Sequence, residues 1–193
     1  MKLYCATSNP GKLREFQLAA GAGWEFVPLT GIPPCEETGE TFEENAIQKA
    51  VHYSGHAPGL LFAEDSGLEV DALGGAPGVR SARFAGDGAS DGDNNRLLIE
   101  RLRGSSDRSA RYVCVIAVAE AGKVLRTFRG EVAGKIIDEP RGENGFGYDP
   151  YFYYEPLGLT FAEASPEQKL GVSHRGRAVM EMLGWVRLFG GAH

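Results

Sequence analysis

The chain reads as an α/β domain, a mixed β-sheet with flanking helices, and three observations carry that reading. Segments with a strand-like period and segments with a helical period follow one another along the sequence. A long two-stranded ribbon with a two-residue turn sits in the middle, which puts antiparallel pairing into a sheet whose earlier strands are separated by helices. The length of 193 residues, 42% hydrophobic and 24% charged, suits one well-buried soluble domain and is short for two. No internal repeat, low-complexity tract or Ser/Pro-rich linker interrupts it, so a single domain is expected over residues 1–193.

The elements follow in order. A short apolar strand covers 2–6 and is broken by Ser8-Asn9-Pro10-Gly11. The spacing of Leu13, Phe16 and Ala20 predicts a helix over 12–20. Residues 24–29 read as a second strand. Thr41-Phe42-Glu43-Glu44 is a capping box that opens a helix over 42–53, with Phe42, Ala46, Ala50 and Tyr53 on its inner stripe. A buried strand at 60–63 runs into Glu64-Asp65-Ser66-Gly67, a polar strand end. After a glycine-rich stretch, a helix covers 94–102. Strands 112–119 and 124–132 form a hairpin around Ala121-Gly122, and 151–154 is a further strand. Ser165-Pro166 opens the C-terminal helical part, N-cap serine followed by proline at the first helical position. Val179, Met182, Leu183, Val186 and Phe189 continue its apolar stripe.

Composition excludes several classes of function. No apolar stretch approaches the ~20 residues that span a bilayer, and the N-terminus lacks the apolar core of a secretory signal. No membrane association is expected. Three widely spread cysteines without CxxC spacing fit free thiols in a reducing cytoplasm better than a disulfide framework or a zinc site. A net charge of −6 argues against coating a nucleic-acid polymer, which demands a basic face. A small polyanion is still admissible, because a few focused lysines or a bound cation reverse the local field.

Five motifs could carry chemistry. Thr7-Ser8-Asn9-Pro10-Gly11-Lys12 joins a strand to a helix start, where backbone N–H groups and a lysine suit an anion; it is no Walker A loop, and it reads equally as an ordinary turn. Asp65, in Glu64-Asp65-Ser66-Gly67, is a carboxylate where α/β folds place ligands, able to bind Mg²⁺ or take a proton from water; a polar turn is the plainer reading. Glu36 and Glu37 precede the capping box, and a second carboxylate suits a hard cation holding phosphate oxygens, though a solvated acidic loop explains at least one of them. Gly74-Gly75-Ala76-Pro77-Gly78 costs backbone entropy that a close approach to backbone or ligand would justify. In Gly145-Phe146-Gly147-Tyr148-Asp149-Pro150 two glycines free an aromatic ring to stack on a flat base, unless the rings are core. Lys169 with Ser173-His174-Arg175 offers several donors, or a solvated helix end.

Together, TSNPGK, TFEENAIQKA, EDSGLEVDALGGAPGVRSARFAG, FGYDP and SHRGRA resemble the inosine triphosphate pyrophosphatase family, in the same order and over most of the chain. The resemblance implies an elongated mixed sheet, two lobes around a central nucleotide cleft, and a homodimer. It implies Mg²⁺-dependent hydrolysis of ITP, dITP and XTP to the monophosphate and pyrophosphate, which cleanses the nucleotide pool. By motif, Thr7, Ser8, Asn9, Pro10, Gly11 and Lys12 would cradle the triphosphate, with Lys49 as a further phosphate ligand. Asp65 would be the catalytic base and a metal ligand, Glu36 the second metal ligand, and Ser66 would touch the substrate. Phe146, Gly147, Tyr148, Asp149, Lys169, His174 and Arg175 would bind base, sugar and phosphates. Ser8 and Pro10 depart from the glycine and the small or apolar residue of many members, and Glu64 from a common aspartate; both changes bear on loop rigidity. Lys12, Lys49, Lys169 and a cation explain how an acidic chain binds a polyanion. A non-hydrolysing nucleotide sensor, a structural oligomerisation protein and a pyrophosphatase for other modified nucleotides are the rival classes.

Overall fold

The computed structural model describes residues 1–7 and 9–190, apart from the side chains of residues 189 and 190; Ser8 and the Phe189 side chain therefore lie outside the described residues. The elements are β1 (Lys2–Ala6), α1 (Pro10–Ala20), β2 (Glu25–Pro28), α2 (Phe42–Ser54), β3 (Leu61–Val70), α3 (Asp91–Arg101), β4 (Ser109–Glu120), β5 (Lys123–Ile136), β6 (Phe152–Tyr154), β7 (Leu159–Thr160), α4 (Pro166–Val172) and α5 (His174–Gly190). Short 3₁₀ turns follow β3 and β6. The strands lie in the order β2-β1-β3-β4-β5-β6-β7, parallel for β1 with β2 and β3, antiparallel for β5-β6-β7. This is the mixed sheet expected.

The chain divides into two compact units, each built from separated segments. The first comprises 1–65, 114–130 and 174–193; the second comprises 66–113 and 131–173. In the first, Leu3 and Cys5 of β1 and Cys114, Ile116 and Val118 of β4 alternate into one core with Phe16, Phe62 and the α5 stripe of Ala178, Val179, Met182, Leu183 and Val186. Phe16 and Phe62 meet edge to face, centroids 5.2 Å apart. In the second, Leu68 and Val70 of β3, Leu98 and Leu102 on and just past α3, Tyr112, Phe152 and Phe161 form the core.

Several boundaries differ from expectation, each for a local reason. Pro10 and Gly11 belong to α1, because Asn9 caps it by accepting from the N–H groups of Gly11 (2.9 Å) and Lys12 (3.1 Å). The α3 start moves to Asp91, where Ser90 and Asp93 make a capping box. The β5 strand continues past Val132 through Gly134, and both of its glycines mark close contacts. A Cβ on Gly130 would stand 2.7 Å from Ala178 N in α5, and one on Gly134 would stand 2.7 Å from Tyr153 O. The largest difference is β3. Glu64-Asp65-Ser66-Gly67 is no strand end but the middle of a ten-residue strand, in which all but the half-buried Ser66 and Glu69 are buried. Gly67 lets the strand pass where a Cβ would stand 2.6 Å from Gly78 O.

Candidate active site

In the first unit the site is assembled on β3 from three helices, α1, α2 and α5. Glu64 and Asp65 are adjacent in a strand, so their side chains leave on opposite faces. Asp65, 7% exposed, is met by α2. Asn45 Nδ2 donates to its Oδ2 (3.1 Å), and Lys49 Nζ lies 3.4 Å from its Oδ1. Asn45 and Lys49 are four residues apart, hence on one helix face.

The run preceding α2 is stitched over that helix's first turns. Thr38 N donates to Gln48 Oε1 (3.1 Å), Gly39 N to Asn45 Oδ1 (2.8 Å), and Glu40 N to Glu44 Oε2 (2.7 Å). Gly39 is required there, since a Cβ would stand 2.7 Å from Glu44 Cβ. The stitched run delivers Glu37 to Lys49 Nζ at 3.3 Å. Two carboxylates, Asp65 and Glu37, thus converge on one ammonium. The expected partner, Glu36, does not join them: its carbonyl accepts from the Cys35 thiol (3.6 Å), and among the described residues no ion pair reaches its carboxylate.

On β3's other face Glu64 is 3% exposed and takes Lys12 Nζ at 2.6 Å. Three residues further along α1, Glu15 accepts from Arg175 Nη1 in the first turn of α5. Burial works against the Glu64 charge, yet Lys12, Arg175 and Lys49 outweigh it and hold its pKa down at about 2. Asp65 moves the other way. Burial and the Glu64 charge raise it above the ordinary aspartate value, against the pull of Lys49 and Lys12. Burial works to lower Lys49, but Asp65, Glu64 and Glu37 outweigh it and raise it, so its ammonium stays charged. Two neighbouring carboxylates are therefore pushed apart, one a fixed anion and one with increased proton affinity, a pattern common where chemistry is done.

The second unit holds the other expected residues. Gly145 (φ +76°) and Gly147 (φ +63°) flank Phe146 in left-handed conformations that glycine alone adopts without strain. Asp149 is 2% exposed: its Oδ2 accepts from Phe146 N (2.9 Å) and Lys169 Nζ (2.5 Å), its Oδ1 from Tyr112 O–H (3.2 Å). Lys169 Nζ also lies 5.0 Å from the centroid of the Phe146 ring. Asp149 is thus a buried hub that orders the loop, rather than a carboxylate open to a sugar. Tyr148 is 4% exposed and donates to Ser81 O (2.7 Å), so its ring is core. Burial, then the Asp91 charge, push its hydroxyl pKa well above the ordinary range.

The structure therefore brings Lys12, Lys49, Asp65 and Arg175 into one charge network in the first unit, with His174 buried beside Arg175. Thr7 accepts from Asn9 N (3.3 Å), and Asn9 is taken up by the cap. Ser66 is half-buried on β3 directly after Asp65. Phe146, Gly147, Tyr148, Asp149 and Lys169 form one loop cluster in the second unit. Sequence reasoning missed Asn45, Glu37 as the nearer carboxylate, Glu15, and Tyr112. Of these, Asn45 left a signal as a polar residue on a buried helix stripe, and Glu37 left one that its neighbour Glu36 shares.

A mixed α/β fold with two adjacent buried carboxylates, Glu64 paired with Lys12 near the start of α1 and Asp65 with Lys49 within α2, has the charged groups that anion-handling enzymes need. The chain belongs to the Ham1 family, whose model matches residues 3–185. It is 51% identical over 196 residues to a dITP/XTP pyrophosphatase of Acidobacterium capsulatum, covering 95% of this chain and 97% of that one. It is 49% identical to a dITP/XTP pyrophosphatase of an Exiguobacterium species, covering 94% and 95%. Among solved structures it is similar to a HAM1 protein from Coxiella burnetii, with TM-score 0.88, 40% identity, and 97% and 98% of the two chains covered.

Proposed function

We propose that this protein hydrolyses deaminated purine nucleoside triphosphates, ITP, dITP and XTP, to the monophosphate and pyrophosphate. The observation that carries the proposal is Asp65, a buried carboxylate of raised proton affinity held between Asn45 and Lys49. In the ionised form it takes a proton from a water whose oxygen attacks the α-phosphorus; the bond from that phosphorus to the bridging oxygen breaks, and pyrophosphate leaves. Lys12 and Lys49 offset the phosphate charge, as does Lys169. Each is already paired, with Glu64, with Glu37 and Asp65, and with Asp149 respectively. A triphosphate therefore shares cations that the fold already holds in ion pairs. The curated relatives' names supply the substrate class.

The donor set also suits Mg²⁺. Asp65 and Glu37 already converge on a cation, and among the described residues no cluster of three or more His, Cys, Asp or Glu residues could hold a metal. Two carboxylates completed by substrate oxygens is how magnesium is usually held. We assign the second ligand to Glu37 rather than Glu36. Bound there, Mg²⁺ would neutralise phosphate charge and acidify water. Phe146 stacks on the base, and His174 and Arg175 supply donors to its 6-oxo group, which adenine lacks. A homodimer is carried by the family resemblance alone. A cytoplasmic setting accords with the free thiols of Cys5, Cys35 and Cys114, and no described helix is long and apolar enough to cross a membrane.

A substrate panel tests the proposal: ITP, dITP, XTP, ATP and GTP with Mg²⁺, read by pyrophosphate release and repeated with a chelator. The expected result is a preference for the deaminated bases of at least ~10²-fold in kcat/KM. Equal turnover of ATP, or release of orthophosphate in place of pyrophosphate, overturns it.

A further inference from the structure

The Phe146 loop has a backbone that should be loose, because Gly145 and Gly147 both sit at positive φ and carry no side chain to pack. It is nevertheless pinned at successive peptide groups. Asp149 Oδ2 accepts from Phe146 N at 2.9 Å. The next N–H, that of Gly147, donates to Asp91 Oδ2 at 2.7 Å. The Gly147 carbonyl accepts from Asn95 Nδ2 at 2.9 Å. Asp91 and Asn95 are four residues apart in the opening turns of α3, so one helix face grips both polar groups of a single residue. The helix itself is fixed independently of the loop: Asn94 accepts from Ala85 N (2.8 Å) and donates to Ala82 O (3.2 Å), and the Ser90–Asp93 capping box closes its start. Asp91 stands in the first turn, where the helix dipole favours a carboxylate. Asn95 is 7% exposed.

We infer that Asp91 and Asn95 are positioning residues for purine binding, a two-point clamp on Gly147 that fixes the Phe146 ring as a stacking platform. The inference rests on the proposed role of Phe146 as the surface on which the base stacks. The ring adjoins the clamped residue, and Lys169 Nζ lies over it at 5.0 Å from the centroid. With Gly147 released, the ring is free to reorient and the base loses a preformed partner, so binding weakens while the chemistry at Asp65 is untouched.

The test is steady-state hydrolysis of dITP by the full-length protein, with pyrophosphate as the readout. The variants are Asp91→Ala, Asp91→Asn, Asn95→Asp, Phe146→Ala and the double variant Asp91→Ala/Phe146→Ala. Asp91→Ala and Asn95→Asp are each expected to raise KM about 5–10-fold, with kcat within about 2-fold of wild type. Asp91→Asn, which keeps an acceptor for Gly147 N, is expected to recover most of the loss. In the Phe146→Ala background, Asp91→Ala is expected to add less than about 2-fold, because it acts through the missing ring. A purely structural role would lower kcat through lost folded protein, or add in full to Phe146→Ala; either result overturns the clamp. Silence of both Asp91→Ala and Asn95→Asp while Phe146→Ala raises KM also overturns it alone. If Phe146→Ala leaves KM unchanged, the stacking role itself fails and the clamp with it. Should Asp91→Ala not fold, comparing Asp91→Asn with Asn95→Asp keeps the same outcomes.

Discussion

Lys12 is expected to hold the fold as well as the substrate, and the two effects separate by pH. Its Nζ lies 2.6 Å from Glu64 Oε1, whose side chain is 3% exposed. Glu64 titrates at about 2 instead of the 4.5 of a solvated glutamate, although burial alone would push it upward. A gap of about 2.5 in pKa corresponds to about 3 kcal/mol favouring the charged form in the folded state. Lys12 is the foremost of the three cations that lower it, ahead of Arg175 and Lys49. Lys12→Ala should therefore lower stability by about 2 kcal/mol at neutral pH, leaving a buried charge with more distant partners. The sign follows from the depressed folded pKa: the stabilisation is complete above about 4.5 and is lost as pH falls toward about 2. The deficit of Lys12→Ala should shrink over that window as Glu64 takes up a proton. Glu64→Gln in the Lys12→Ala background removes the stranded charge and should recover part of the loss. Urea denaturation followed by tryptophan fluorescence, at pH about 7 and about 3.5, measures all of this. A Lys12→Ala protein as stable as wild type at neutral pH, or a deficit that does not change with pH, refutes the reasoning.

The remaining expectations concern Asp65 and the loop hub. Asp65→Asn should lower kcat by at least ~10²-fold with a native circular dichroism spectrum, while near-normal turnover would remove Asp65 from the chemistry. Because burial raises Asp65, its carboxyl in the Mg²⁺-free protein should titrate above the ~3.9 of a free aspartate when followed by NMR; a titration at or below that value would contradict the environment described. Lys169→Ala removes the ammonium that lies 2.5 Å from Asp149, itself 2% exposed, and should cost about 3 kcal/mol in a thermal melt. Asp149→Asn in that background should restore part of it, and if it does not, the buried pair is not the cause.

The sequence by itself determined the class of fold and the starts of two helices, those capped by Thr41 and Ser165, but not the Asn9 and Ser90 caps. The capping box at Thr41, the Ser165-Pro166 helix start, the apolar run of 112–119 and the Ala121-Gly122 turn are local signals, because each is carried by residues close together in the chain. The motifs likewise single out Lys12, Asp65, Phe146 and Lys169 as candidates by residue type and setting, while Lys49 is named by the family resemblance alone. Partnership across long separations was decided only by the tertiary structure. The polar run of Glu64 to Gly67 looks like a strand end, yet β3 carries it through the core because Lys12, 52 positions away, and Asn45 and Lys49, on another helix, satisfy its charges. Adjacent Glu36 and Glu37 are indistinguishable by spacing; the stitched run before α2 chooses Glu37 for Lys49. Asp149 is one residue of a loop motif in the sequence, and only its burial and three donors show it as the hub of that loop. A buried charge is stable only when its partners are in place, and which partners reach it is a fact of three dimensions.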